Sequence, residues 1–259
     1  MGTWGVGILQ NDIGDDIKTE YINKLKLGKN SENIFAELMS ENRELLNDPD
    51  DACDFWLALS SVMYDYGRLT DNVKNKALEI IESEDEIMRW AGTDVNKRKK
   101  ELIKLKEKLT SEPKLEKKVT VLKKYMTKWK ANEIYYAKVK DICKSENEGF
   151  VIFLVHDTIE YDLRINGLGD ILPITYMKYS ETEPNNIDDI DNISFIKNYT
   201  LQNIPHYKFL WISDGFKKVN SKFVFLGSKD FERPDDNIEM TYIDKLNSMT
   251  FLNRIPEYI

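Results

Sequence analysis

The stretch EIYYAKVKDICKSENEGFVIFLV, residues 133–155, decides the fold class, because the hydrophobic pattern changes there from helical to extended. Apolar side chains alternate from Glu133 to Val139, which predicts a strand with one buried face. The run from Phe150 to Val155 is apolar throughout and predicts a buried strand. Further short strands are predicted after it, so we expect a strongly bent antiparallel sheet or a small barrel in this half of the chain.

The first half of the chain has helical patterns instead. Apolar residues recur every four positions behind a capping residue, Asn11 or Asp12, and Gly28 is suited to a left-handed helix end. Further helices are predicted on both sides of Pro49. A polar helix is predicted from Thr93 to Thr110, with a narrow stripe of leucines as its apolar side.

We therefore predict an α+β protein in two parts. Residues 1–128 form a helical domain whose final part, residues 93–128, is basic, and residues 129–259 form a mainly β domain. Pro173 interrupts the segment Ile171–Tyr179, so that strand is expected to begin after the proline.

The net charge of −8 hides three segments of alternating sign. Residues 1–96 hold 9 Lys/Arg and 20 Asp/Glu, residues 97–130 hold 14 and 4, and residues 131–259 hold 14 and 21. The acidity of the whole chain argues against nonspecific nucleic-acid binding. The basic segment either contacts nucleic acid or docks on the chain's own acidic parts. Its first four residues are Lys97, Arg98, Lys99 and Lys100.

Several functional classes are disfavoured by composition. No apolar run is long enough to span a bilayer, and the start of the chain lacks the basic and apolar regions of a signal peptide. Cys53 and Cys143 are far apart and form neither a CxxC pair nor a zinc-ligand pattern. We therefore expect a cytoplasmic protein with two free thiols and no membrane partner, and its oligomeric state stays open.

Side chains suited to catalysis are few. The nearest approach to a catalytic set is His156 with Asp157 and Cys143, but neighbours on a strand point to opposite faces, so Asp157 is badly placed to orient the imidazole. Asp12 and Asp16 share a helix face and could hold a cation, although the helix dipole alone favours acids in a first turn. We expect no catalytic residue, no cofactor and no metal site, and therefore no enzymatic activity.

The opening MGTWGVG, residues 1–7, is rich in glycine but lacks the preceding strand and the following Lys-Ser/Thr of a phosphate-binding loop. Its glycines are expected to pack tightly around Trp4. Trp4, Trp56 and Trp90 either belong to the core or form a binding surface.

The segment WKANEIYYA, residues 129–137, resembles the first strand of the twenty-sixth numbered family of bacterial immunity proteins, which belong to polymorphic toxin systems. Asn132-Glu133 stands where that family usually has Gly-Asp. Later segments are similar as well, namely Tyr207–Ser213, Phe225–Gly227 and Arg233–Asp236.

The helical half carries a second resemblance. The pattern Met-Gly-x-Trp-Gly…Asn-Asp at residues 1–12, with Asn47–Asp51 and Phe55-Trp56 further on, resembles an N-terminal domain of unknown function in bacterial proteins of this two-part layout. Together the two resemblances span most of the chain, and they describe its architecture better than its chemistry.

The resemblance implies a non-enzymatic protein that neutralises a cognate bacterial toxin, its partner, by occluding the toxin's active surface. Many such toxins are nucleases with basic clefts, toward which an acidic partner is steered. Three acidic clusters are the candidate partner-binding residues, and the alternative for each is an ordinary solvated loop. Their members are Glu84, Asp85, Glu86, Asp188, Asp189, Asp191, Asp235, Asp236 and Glu239. The alternative function is a nucleic-acid-associated protein, for example in phage defence, that uses residues 97–130.

Overall fold

The chain divides into two compact units, Met1–Leu122 and Lys123–Ile259. Helices occupy the first unit and strands dominate the second, so the predicted α+β class is confirmed. The sequence-based limit of the helical part lies slightly later, at residue 128. A computed structural model describes residues 2–90, 94–142, 148–162, 164–196, 198–199, 205–206, 209–211, 222–234 and 241–243.

The first unit consists of α-helices joined by short connections. Its described helices are α1 (Asp12–Lys26), α2 (Ser31–Glu41), α3 (Pro49–Asp65), α4 (Asp71–Glu82), α5 (Glu84–Met88) and α6 (Val95–Thr110). The Asn11 side chain caps α1 by accepting a hydrogen bond from the Gly14 backbone at 2.6 Å. Gly28 follows α1 with a φ of 84°, so the predicted cap and the predicted left-handed end are both confirmed.

Helix α3 is the centre of this unit, because its residues are buried along most of its length. On one side it packs against the buried stripe of α1, which includes Ile17 and Tyr21. Leu57 packs into a second buried hydrophobic cluster, to which α6 contributes side chains. The predicted apolar stripe of α6 is buried there and consists of Leu102, Leu105 and Leu109.

Residues 111–122 form an extended segment that runs along the helical unit. The Lys117 N–H donates to the Tyr66 carbonyl at 2.9 Å, and the Leu122 N–H donates to the Lys26 carbonyl at 2.8 Å. Gly67 has a φ of 65°, and a Cβ at this position would lie 2.3 Å from the Leu115 carbonyl oxygen. The close approach of this segment to the end of α3 therefore requires glycine at position 67.

The elements of the second unit are β1 (Glu133–Lys138), the short helix α7 (Val139–Ile142), β2 (Phe150–Tyr161), β3 (Asp170–Ser180), β4 (Asn198–Tyr199), β5 (Pro205–His206), β6 (Phe209–Trp211), β7 (Val224–Ser228) and β8 (Thr241–Ile243). Six of the strands form a sheet with strand order β7-β1-β2-β3-β6-β8. Neighbours are antiparallel except β6 and β8, which pair in parallel, whereas the sequence predicts only antiparallel strands. The remaining strands, β4 and β5, pair with each other.

Pro173 lies inside β3, so the prediction that this strand begins after the proline is wrong. Pro173 pairs with Thr158 of β2, and β6 pairs with β3 only at Ile174 and Thr175 among the described residues. The N–H that proline lacks is therefore not required by any described partner on the β6 side.

Two faces of the sheet are covered by different side chains. One face packs Ile152, Leu154 and Tyr176 into a buried cluster. On the other, Trp129 stacks on Tyr135 with ring centroids 4.5 Å apart and also contacts Phe153. Across the described part of the chain, no helix combines the length and the apolar character needed to cross a bilayer.

Candidate partner-binding cleft

The N-terminal segment folds back on the start of α1 and carries Trp4 on its outer side. The Trp4 N–H donates to the Gln10 carbonyl at 3.2 Å. A Cβ on Gly5 would lie 2.2 Å from Gln10 Oε1. The glycines therefore admit the Gln10 side chain, and the expectation that they pack around Trp4 is wrong. The Trp4 side chain is instead 59 % exposed.

A buried network of charged side chains lies against the N-terminal segment and is hydrogen-bonded to it. The Arg98 guanidinium is fully buried, and it contacts Glu86 Oε1 at 2.7 and 2.8 Å and Asp54 Oδ1 at 3.4 Å. It also donates to the Val6 carbonyl at 3.0 Å. Arg89 completes the network by donating to Glu86 Oε2 at 2.6 Å and to Asp54 Oδ2 at 2.9 Å. Four segments distant in the chain are thereby joined: the N-terminal loop, α3, α5 and α6.

A cleft of about 490 Å³ opens between the N-terminal segment and this network. Its rim carries the exposed Trp4 ring and two carboxylates, Asp50 and Asp94, both more than half exposed. Trp90 lines the cleft as well, and its ring lies 4.8 Å from Arg98 Cζ. The lining residues are Thr3, Trp4, Gly5, Val6, Asp50, Asp54, Arg89, Trp90 and Asp94.

Aromatic rings beside carboxylates form an environment suited to a cationic group of a partner. An ammonium or guanidinium is attracted to a ring face and forms strong hydrogen bonds to carboxylates. Of the three tryptophans considered together in the sequence, Trp4 and Trp90 line this cleft. Trp56 instead packs against Phe35 and Phe55 in the helical core.

The first predicted acidic cluster is split by the fold. Glu84 and Asp85 are exposed on α5, as a partner-binding role requires. Glu86 is fully buried and paired with Arg89 and Arg98, so the expectation that it forms part of an exposed binding surface is wrong. The reason is the helical geometry of α5, which turns every third or fourth residue toward the core.

The second predicted cluster lies on the 3₁₀ helix Ile187–Asn192 of the second unit. Asp189 accepts a hydrogen bond from the Asn186 N–H at 3.1 Å and so caps this helix. Asp188 and Asp191 both pair with Lys229, at 3.2 and 2.7 Å. These acids therefore already have local partners. Asp235, Asp236 and Glu239, the third cluster, lie outside the described residues.

Several lysines of the basic segment pair with acids of the helical unit. Lys106 pairs with Glu82 at 2.7 Å, and both Lys108 and Lys114 pair with Asp65 at 2.8 Å. These contacts correspond to the sequence-based alternative in which the segment docks on the chain's own acidic part.

The four residues that open the basic segment differ in their surroundings. Arg98 is buried and cannot reach a nucleic acid, so its place in the nucleic-acid alternative is wrong. Lys97 pairs with Asp94 at 3.0 Å. Lys99 and Lys100 are exposed and make no ion pair with the described residues. The exposed positive charge available to a phosphate backbone is therefore smaller than the sequence indicates.

Replacing Asp65 with asparagine should remove a stabilising contribution that is present near neutral pH and lost in acid. Burial opposes ionisation of Asp65, but hydrogen bonds from Lys108 and Lys114 outweigh it and hold its pKa below the usual 3.8. Such a group stabilises the fold above its unfolded pKa, and the contribution disappears as the pH falls through the folded pKa.

The urea-unfolding free energies of wild type and Asp65→Asn should differ by less than about 1 kcal/mol near pH 7, because the pair is partly exposed. They should converge at an acid pH below the folded pKa of Asp65, which is lower than 3.8. Glu112→Gln is the matched control, because Glu112 is exposed, lies outside the helices and makes no ion pair with the described residues. A difference between Asp65→Asn and wild type that is the same at both pH values would contradict this role for the lysines.

Reactive side chains do not form an evident catalytic set in the described residues. His156 lies 5.5 Å from the Tyr176 ring, and the neighbouring Asp157 accepts a hydrogen bond from the Thr158 N–H at 2.7 Å. Cys143 lies outside the described residues, while burial raises the pKa of the Cys53 thiol. No group of three His, Cys, Asp or Glu residues within the described ranges is placed to hold a metal ion.

The burial of Arg98 was predictable from the sequence, because Arg98 lies on the same helical stripe as Leu102, Leu105 and Leu109. Trp4 and Trp90 were candidates for a binding surface in the sequence, but the cleft that they line was not predictable, because its other residues come from the N-terminal segment, from α3 and from the ends of α5 and α6. The function must be inferred from this arrangement, because comparisons with protein-family models, curated proteins and solved structures found no match to the chain.

Proposed function

We propose that this protein is a non-enzymatic binding protein that neutralises a toxic protein by covering its working surface. The observation that carries the proposal is the cleft in the helical unit, where the exposed Trp4 ring stands beside Asp50 and Asp94. An exposed tryptophan on a well-supported segment provides a large apolar contact area with little entropy to lose on binding.

The chemistry of the cleft favours a basic side chain of the partner. Asp50 uses Oδ1 to bind Arg89 at 3.1 Å, and Asp94 uses Oδ1 to bind Lys97 at 3.0 Å. The second carboxylate oxygen of each residue makes no hydrogen bond to the described residues. A lysine or arginine of the partner could therefore bind these oxygens while its alkyl stem covers Trp4.

The exposed acids of α5 extend the acidic character of this unit beyond the cleft. Glu84 and Asp85 lie two turns or less before Trp90 in the chain and make no ion pair with the described residues. A basic substrate-binding surface, such as that of a nuclease, would be steered toward such acids at long range. The resemblance to immunity proteins supports the same proposal.

The proposal is tested by using the tagged full-length chain as bait in extracts of its source organism. We expect capture of one effector protein in stoichiometric amount, which arrests growth when expressed alone and is neutralised by co-expression of this chain. Nucleic acid recovered in place of protein would favour the alternative function. Failure of co-expression to restore growth would contradict the proposal.

A double variant with reversed charges tests whether Glu84 and Asp85 contribute to partner binding. The double variant Glu84→Lys/Asp85→Lys should weaken association with the captured effector, chiefly by slowing the association rate at low salt. Glu107→Lys/Glu112→Lys changes the net charge by the same amount at two other exposed positions of the helical unit and is the matched control. Equal effects of both variants would mean that only overall charge matters.

A further inference from the structure

We propose that a second pocket, in the sheet-containing unit, binds a small ligand that carries a carboxylate or phosphate on an apolar body. The pocket has a volume of about 730 Å³. Two phenylalanine rings and the side chains of Lys178 and Arg233 supply its apolar and cationic walls. The lining residues are Lys178, Asp191, Phe195, Lys229, Asp230, Phe231, Glu232, Arg233 and Pro234.

Lys178 is the central feature of this pocket. Its side chain projects from β3 and the residue is only 4 % exposed. The ammonium donates one hydrogen bond to the Ile190 carbonyl at 2.8 Å and lies 4.3 Å from the centre of the Phe195 ring. An ammonium has three donors, so two remain for a ligand.

The buried charge of Lys178 lacks a counter-ion. Within the described residues, no carboxylate lies within 4.0 Å of its Nζ, and the nearby Asp191 is bound to Lys229 at 2.7 Å. Burial lowers the pKa of Lys178, and the attraction of Asp191 does not restore it. Since an uncompensated buried charge is unfavourable, an anion that enters this pocket gains more than it would at an exposed lysine.

The outer part of the pocket provides the remaining recognition elements. Arg233 lies over the Phe231 ring, with Cζ 6.0 Å from its centre, and makes no ion pair with the described residues. Two acids of the pocket already have partners. Asp191 binds Lys229, and Asp230 accepts a hydrogen bond from the Asn132 amide at 2.6 Å. A ligand with its anionic group at Lys178 can place its apolar body against Phe195 and Phe231, which both line the pocket.

The test uses the full chain and three probes of similar size: phenylacetate, phenyl phosphate and benzylammonium. Calorimetric titration should give saturable millimolar or tighter binding of at least one of the two anions and no binding of the cation. Phenylacetate and phenyl phosphate distinguish a carboxylate ligand from a phosphate ligand. Absence of saturable binding of both anions, or equal binding of benzylammonium, would overturn the proposal.

Variants assign the binding to this pocket. Lys178→Met should weaken binding of the preferred anion at least about tenfold, because a charge-assisted hydrogen bond is lost. Lys138→Met is the matched control, since Lys138 is an exposed lysine that also lies near a phenylalanine ring, that of Phe150. Arg233→Met removes the exposed cation of the pocket and leaves the buried side chains of this unit unchanged. Unchanged affinity in Arg233→Met together with unchanged affinity in a folded Lys178→Met would place the anion elsewhere.

Discussion

Replacing Arg98 with methionine should lower the free energy of unfolding of the helical unit by about 4 kcal/mol. Methionine preserves much of the side-chain volume, so the loss reports on charge rather than on a cavity. The change leaves Glu86 fully buried with Arg89 as its remaining partner and leaves the Val6 carbonyl without its donor. A buried carboxylate that loses one of its two cationic partners is strongly destabilising, because the remaining charge is only partly compensated.

The measurement is urea unfolding of the full chain, followed by far-ultraviolet circular dichroism and by hydrogen exchange of peptides from α3, α5 and α6. Exchange in residues 2–10 should also accelerate, because this segment loses its bond to α6. Lys97→Met is the control on the same helix, and it should change stability by less than about 0.5 kcal/mol because its ion pair is exposed.

A second variant distinguishes the effect of breaking the ion network from the effect of losing the arginine side chain. Arg98→Met/Glu86→Met removes the fully buried ion pair and leaves Asp54 paired with Arg89, so we expect the double variant to be more stable than Arg98→Met alone. A double variant that shows the sum of two large losses would contradict the idea that the incompletely compensated Glu86 carboxylate causes the destabilisation. If Arg98→Met lowers the free energy of unfolding by less than about 1 kcal/mol, the ion network contributes little to the stability of the helical unit.

Replacing Trp4 with alanine should weaken binding of the proposed toxin partner about 30-fold, equivalent to about 2 kcal/mol. Trp4 is the large exposed aromatic side chain of the cleft, and tryptophans at the centre of an interface commonly dominate its energy. Because the side chain is more than half exposed in the free protein, folding stability should change little.

The affinity change should appear mainly in the dissociation rate, which surface plasmon resonance measures directly. Ile103→Ala is the matched control, because Ile103 is an exposed apolar residue of the same unit, 54 % exposed, that does not line the cleft. Asp50→Asn should act differently, by slowing association and reducing its dependence on salt. If Ile103→Ala weakens binding as much as Trp4→Ala, the cleft is not the contact site.

Local signals in the sequence were sufficient to predict much of the fold. The cap of α1 at Asn11 and its end at Gly28 depend on residues within one helical turn, and such interactions do not need the rest of the protein. The change from helical to alternating apolar patterns near Glu133 likewise predicted where strands replace helices.

Pro173 shows where local signals were insufficient. Proline is disfavoured in a central strand, yet its position within β3 is permitted by the pairing on each side of it, which only the sheet arrangement decides. The parallel pairing of β6 with β8 has the same origin, because strand direction depends on the course of the connecting chain and not on the residues within the strands.

The sequence by itself determined the two-part α+β architecture, the helix ends and the alternating sign of charge along the chain. Only the tertiary structure decided how the buried charges are paired: Arg98 joins Glu86 and Asp54 in an ion network, and Lys178 lies in the interior without an ion pair to any carboxylate of the described residues. The physical reason is that helix and strand formation depends mainly on near neighbours. The burial and pairing of a charge depend on groups that folding brings together from distant parts of the chain.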